Sequence, residues 1–268
     1  MTGLYFILAF AITWGLQLPA LLAHAGIIEG PPDRFMALVG LGAFGPMVAA
    51  MIAARAEGTG LKALFRPLAT WRVSARWYVA ALVLPGGIFA LAAAAWSALG
   101  HSEPLVYPPD NAAYLAAAIV FPFGEEIGWR GFALPRLMTR MGPLAASVVI
   151  GVVWTFWHVP MLTLQGVQPW FYCAFVPFMV GGSILFTWIY RHTRGSLLLA
   201  VLTHVGAHLS NPGHAMPGRY TPIIIHTVAY VVLASGLVAV DRAAFTDRRS
   251  PCTDAPPGSR SCSSSAAR

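Results

Sequence analysis

The stretch Trp77–Leu99, WYVAALVLPGGIFALAAAAWSAL, runs for 23 residues without a charged side chain. A helix rises about 1.5 Å per residue, so this run is long enough to cross the roughly 30 Å hydrocarbon core of a bilayer. Outward from it, comparable apolar windows recur at about 3–27, 35–55, 112–138, 143–164, 169–190, 195–210 and 220–240. The expected fold class is therefore all-α, a polytopic membrane helix bundle of about eight transmembrane helices. Composition agrees: 57% of residues are hydrophobic and 10% charged, with a mean hydropathy of +0.66. Soluble domains carry about 25% charged residues, so this chain has too little charge to cover a water-facing surface. The first window lacks a charged start, is too long for a signal peptide and has no clean cleavage site after it, so it reads as a retained helix.

The net charge of +7 does not point to nucleic acid, because the basic residues sit mainly in short segments between apolar runs. Arg55, Lys62, Arg66, Arg72 and Arg76 fill one loop; Arg130, Arg136 and Arg140, then Arg191 and Arg194, then Arg242, Arg248 and Arg249 mark three more. The alternate loops hold only Arg34 and Arg219, beside Glu29, Asp33, Glu103 and Asp110. Cytoplasmic loops are rich in Lys and Arg, and an eight-helix chain with both termini cytoplasmic puts every basic cluster on one side. The expected organisation is a transmembrane helical domain over 1–244, with a motif-bearing core at about 110–212, and a tail over 245–268. That tail is rich in Ser, Pro, Gly and Arg, and is expected to be disordered. No internal repeat is evident, which weakens a transporter reading. Three cysteines make no disulfide framework; Cys173 reads as a packing thiol, and Cys252 and Cys262 lie in the polar tail.

Ionisable residues inside membrane segments are costly and mark function by default. The sharpest group is Glu125-Glu126-Ile127-Gly128-Trp129-Arg130. Glu126 and Arg130, one helical turn apart, share a face and can pair, whereas Glu125 is rotated by about 100° and can face a cavity. Two adjacent carboxylates with one cation nearby cannot both be ionised cheaply at depth, which suits one of them to general acid–base work. The plainer alternative ends the helix near Phe123 and makes this segment an interfacial loop, although Phe132, Ala133 and Leu134 resume the apolar pattern.

The second element is Trp154-Thr155-Phe156-Trp157-His158-Val159-Pro160, in which Trp154 lies one turn before His158 and can pack on it. A lone His near a helix end is more often a hydrogen-bonded structural residue than a catalytic one. The third is His204-Val205-Gly206-Ala207-His208, whose i, i+4 spacing puts two imidazoles on one face, as in a helical metal pair. The Glu that a zinc-protease helix carries between its two His is missing. His214 and His226 form no such spacing, and His226 reads as structural. Measured from the loops, Glu126, His158 and His204 lie roughly 20, 22 and 15 Å deep, compatible with one layer.

Together these three elements resemble the CPBP intramembrane proteases, the family of CAAX prenyl endopeptidases and bacterial Abi-type proteins. Its pattern is EExxxR, then an aromatic residue four before His, then His-xxx-Asn or a similar polar residue. Here these read Glu125-Glu126 to Arg130, Trp154 to His158, and His204 to His208, over roughly residues 110–212. The resemblance implies an intramembrane endopeptidase in which Glu125 and His158 activate water, Arg130 holds Glu126, and His204 with residue 208 stabilises the oxyanion. No covalent intermediate, and in this reading no cofactor, is required. His208 departs from the usual Asn, and Asn211 follows three residues later. With the departure, Glu125, His158, His204 and His208 make a chemically reasonable zinc set. The implied partners are the lipid bilayer and a peptide or protein substrate, and the implied location is a bacterial inner (plasma) membrane. The rival readings are a non-catalytic membrane scaffold or bacteriocin-immunity-type protein, and a small proton-coupled transporter. Substrate identity, prenylation and oligomeric state are not written in these motifs.

Overall fold

A computed structural model describes residues 1–101, 112–210 and 221–247, and among them every regular element is helical. The chain begins with α1 (Thr2–His24) and continues through α2 (Met36–Leu41), α3 (Gly45–Ala56), the short α4 (Gly60–Phe65) and α5 (Ala75–Ala98). Next come α6 (Ala112–Gly128), a π-helical turn (Trp129–Ala133), α7 (Leu134–Met141), α8 (Pro143–Trp157) and α9 (Val159–Leu164). The remainder is α10 (Tyr172–His192), α11 (Leu197–Leu209), α12 (Thr221–Val240) and α13 (Arg242–Thr246). Five helical runs are long and apolar enough to cross a membrane: Thr2–His24, Pro32–Ala56, Ala75–Ala98, Pro169–His192 and Ile223–Val240. The other three expected spans coincide with the run from α6 through α7, and with the shorter apolar helices α8 and α11.

Burial is inverted relative to a water-soluble protein. Ile7, Val79, Val83, Leu91, Val228 and Val232 stand on the outer surface, while Thr13, Gln17, Glu125, Glu126, Arg130 and His204 are buried. An outer face this apolar needs lipid, not water, against it. Several buried hydroxyls are satisfied within their own helices: Ser147, Thr155, Thr187 and Thr203 each donate to the carbonyl four residues earlier. The chain is a multi-pass helical membrane protein.

The α6–α7 run shows why a charged segment stays helical at depth. Helix α6 passes through Glu125 and Glu126 to Gly128, the π-helical turn carries Trp129 and Arg130, and α7 follows without a break. Pro135, which has no N–H for the carbonyl four residues before it, sits where the wider turn ends. The interfacial-loop alternative is thereby excluded. Gly142, at φ +85°, ends α7 in a conformation that favours glycine, and Pro143 starts α8 at once.

One end of the bundle collects the arginine-rich loops. Arg136 pairs with Glu57, the Arg194 guanidinium donates to the Arg72 carbonyl, and Ser196 donates to Thr70. His192 and Trp188 both bind Asp241 at the close of α12. The first turns of α1 reach the same side of the bundle, where Tyr5 packs on Trp129 and Phe132. The boundary expected at 244/245 falls inside α13, whose Ala244 and Phe245 are buried beside Ile184 and Ala234. The rest of the expected tail, with Cys252 and Cys262, lies outside the described residues, as do Asn211 and His214. Cys173 is exposed rather than packed inside: in a membrane bundle, an apolar run has a lipid side as well as an interior.

Candidate active site

Three helices bring the motif residues together. Helix α11 packs on α6 and α5, α3 packs on α6, and α8 packs on α10. The tight α3–α6 crossing depends on glycine. A Cβ on Gly124 would lie 2.6 Å from the carbonyl oxygen of Ala43, in the turn that leads into α3, and one on Gly128 would lie 2.5 Å from Pro46 of α3 itself. These two glycines flank the glutamate pair as GEEIG, the small-xxx-small spacing that lets helices approach closely. The spacing was visible in the sequence, but the neighbour it admits was not.

Glu126 and Arg130 pair as their spacing predicts, with Nη1 of Arg130 donating to Oε1 of Glu126 at 2.8 Å and both side chains fully buried. The same Oε1 lies 2.9 Å from Nδ1 of His204, so Glu126 also joins α6 to α11. The guanidinium lies over two aromatic rings, 4.7 Å from the Trp154 centroid and 4.6 Å from that of Phe186. Contacts of this kind stabilise a desolvated cation by about 2 kcal/mol, which helps to hold Arg130 away from water.

Glu125 faces the other way, as its rotation on the helix requires. It is 4% exposed, and Oε2 accepts a 2.7 Å hydrogen bond from the indole N–H of Trp154. The Trp154 carbonyl in turn lies 2.7 Å from Nδ1 of His158. A carbonyl only accepts, so Nδ1 carries the proton, and in the neutral ring Nε2 keeps its lone pair. Trp154 thus does more than pack on the imidazole, with ring centroids 5.9 Å apart: one residue orients both the carboxylate and the histidine. His158 is the junction between α8 and α9, half-buried against Trp157 and Phe175.

His204 stands edge-on to Trp154 at 5.1 Å and to His208 at 4.5 Å. The Tyr114 hydroxyl donates to the His208 carbonyl at 2.7 Å, tying the end of α11 to the first turn of α6. With Nδ1 of His204 committed to Glu126, Nε2 is the nitrogen left for a ligand. One ligand atom from each of Glu125, His204 and His208 lies within 4.8 Å of the others. A carboxylate with two imidazoles is the donor chemistry of an open catalytic zinc site, so these residues fit such an ion. His158, counted with them on sequence grounds, lies outside that cluster.

His226 is elsewhere, buried on α12 beside Phe89, Phe178 and Tyr230. It takes no part in the convergence of Glu125, Glu126, Arg130, His158, His204 and His208.

A family model described as Type II CAAX prenyl endopeptidase Rce1-like matches residues 108–210. A curated relative, CAAX prenyl protease 2 of Methanococcus maripaludis, is 26% identical over 132 residues, covering 46% of this chain and 48% of the relative. The chain thus matches about half the length of that relative. Both matches are consistent with the family that the three motifs resemble, and the whole converging constellation falls within residues 108–210. Through this motif-bearing region, the chain is similar to the Type II CAAX prenyl endopeptidase Rce1-like family and to a CAAX prenyl protease, in line with the resemblance its three motifs carry.

Proposed function

We propose that the protein is an intramembrane endopeptidase in which Glu125 and His158 activate a water molecule. The observation that carries the reading is Trp154, whose indole holds Glu125 and whose carbonyl holds His158. The carboxylate oxygen not bound by the indole accepts a proton from water while Nε2 of His158 accepts a hydrogen bond from the same molecule. The water oxygen bonds to the scissile carbonyl carbon, and the carbonyl oxygen takes up the negative charge. His204 and His208 receive that oxyanion. Glu125 then delivers its proton to the amide nitrogen as the C–N bond breaks. Glu126 and Arg130 do not touch the substrate; they keep α6 and His204 in register.

The relative's name contains "prenyl protease", and the substrate proposed here is broader: a peptide anchored in or at the membrane. Loops rich in arginine support a cytoplasmic side at the Arg72, Arg136 and Arg194 end, and the membrane proposed is a bacterial plasma membrane. The experiment reconstitutes the purified chain in proteoliposomes with two fluorogenic peptides, one prenylated and one carrying a transmembrane anchor. Cleavage of either, lost in Glu125→Ala, His158→Ala and His204→Ala, is the expected result. Full cleavage by Glu125→Ala would overturn the mechanism. A phenotype that persists without cleavage would favour a scaffold, and a Glu125-dependent proton flux would favour a transporter.

A second reading is favoured by the cluster of Glu125, His204 and His208. Zinc held there would supply a polarised water and a Lewis acid for the carbonyl. His204 separates the two readings. Its Nε2 donates to an oxyanion when the ring carries both protons, and offers a lone pair to a metal when it carries one.

A further inference from the structure

Helix α1 lies outside the matched residues, yet it holds the end of α8 from which His158 projects. Thr13 is fully buried. Its hydroxyl accepts from the Trp157 indole N–H at 2.9 Å and donates to the Gly42 carbonyl at 2.8 Å. The next residue, Trp14, donates its indole N–H to the Trp157 carbonyl at 3.2 Å. The indole N–H and the carbonyl of Trp157 are therefore both engaged by α1. Trp157 immediately precedes His158, and the two rings meet edge to face at 4.8 Å. The approach is too close for a larger residue at the facing position: a Cβ on Gly45 would fall 2.0 Å from the Thr13 hydroxyl oxygen.

Packing alone does not ask for this chemistry. Tyr5, Ala9, Thr13 and Gln17 form the buried stripe of α1, and apolar side chains at the Thr13 position would bury as well. A buried indole N–H left without an acceptor is costly, so the Thr13 hydroxyl selects one rotamer of Trp157.

We infer that Thr13 is a positioning residue, setting the orientation of His158 through Trp157. The inference rests on the peptidase reading, and its test separates the two. The full chain is purified in micelles with 13Cε1-labelled histidine, and the His158 resonance is assigned as the one missing from His158→Gln. In Thr13→Val that resonance shifts and kcat falls roughly 10- to 100-fold with KM unchanged, as expected for misplacement of a catalytic group by up to an ångström. Thr13→Ser restores both, and Ile7→Ala, on the lipid face of the same helix, changes neither. An unmoved His158 resonance in Thr13→Val overturns the inference, even if less protein folds. Should the wild type cleave no peptide, the peptidase reading falls, while the resonance still decides the α1 contact.

Discussion

Replacing Trp154 by Phe isolates the bridge at the centre of this site. The substitution keeps an aromatic ring between Arg130 and His204 and leaves the backbone carbonyl that His158 binds. Of the two hydrogen bonds that Trp154 makes with the site, it removes one, the 2.7 Å indole N–H to Glu125. A buried hydrogen bond to a charged group contributes about 1.5–3 kcal/mol, and each 1.36 kcal/mol corresponds to a factor of about ten in rate. If that bond holds Glu125 for proton transfer, kcat in Trp154→Phe falls roughly 10- to 200-fold. KM stays within about twofold, because uniform binding is untouched. The assay is steady-state cleavage of a fluorogenic membrane-anchored peptide in proteoliposomes, with the folded fraction measured separately by thermal unfolding. Wild-type kcat in a fully folded Trp154→Phe protein would refute the role given to this bond.

Three further outcomes follow from the same contacts. Gly128→Ala drives a methyl group into Pro46 and should lower thermal stability in detergent by about 1–3 kcal/mol, whereas Gly86→Ala, which meets nothing within 4 Å, should leave the melting temperature within a degree or two of wild type; equal melting temperatures would discount the α3–α6 crossing. Arg130→Met strands the fully buried Glu126, with an expected loss of about 3–5 kcal/mol in denaturant unfolding; an unchanged midpoint would show that the pair is dispensable. His208→Asn restores the residue usual in the family pattern: under the glutamate reading it keeps activity within about tenfold and remains insensitive to chelators, since an amide still donates a hydrogen bond. Loss of activity together with loss of bound zinc, measured by elemental analysis, would favour the metal reading instead.

Much of this architecture was legible because of what the membrane forbids. Charged side chains are so costly in hydrocarbon that Glu125, Glu126, Arg130, His158, His204 and His208 stood out against their apolar runs, and helical spacing paired Glu126 with Arg130 before any coordinate did. The long uncharged windows likewise located the spans. What could not be read were contacts between helices distant in the chain. Trp154 looked like a ring stacked on His158, and only the fold shows its N–H reaching Glu125 across 29 positions. Glu126 was assigned to Arg130 alone, although the same oxygen meets His204. Thr13 gave no signal, being one hydroxyl in a long apolar helix whose partner lies 144 residues away. Cys173 was misplaced because apolar surroundings in sequence do not distinguish the lipid face from the core.

The central claim is that Glu125 takes the proton from the attacking water. It is tested most directly by single-turnover cleavage of a membrane-anchored peptide by purified Glu125→Gln, an isosteric change that keeps an oxygen for the Trp154 indole. Loss of a general base typically costs on the order of 100- to 10,000-fold, so the account predicts a cleavage rate reduced by at least about 100-fold in a protein that still folds and binds the peptide. A Glu125→Gln protein that cleaves within about tenfold of the wild-type rate would contradict it.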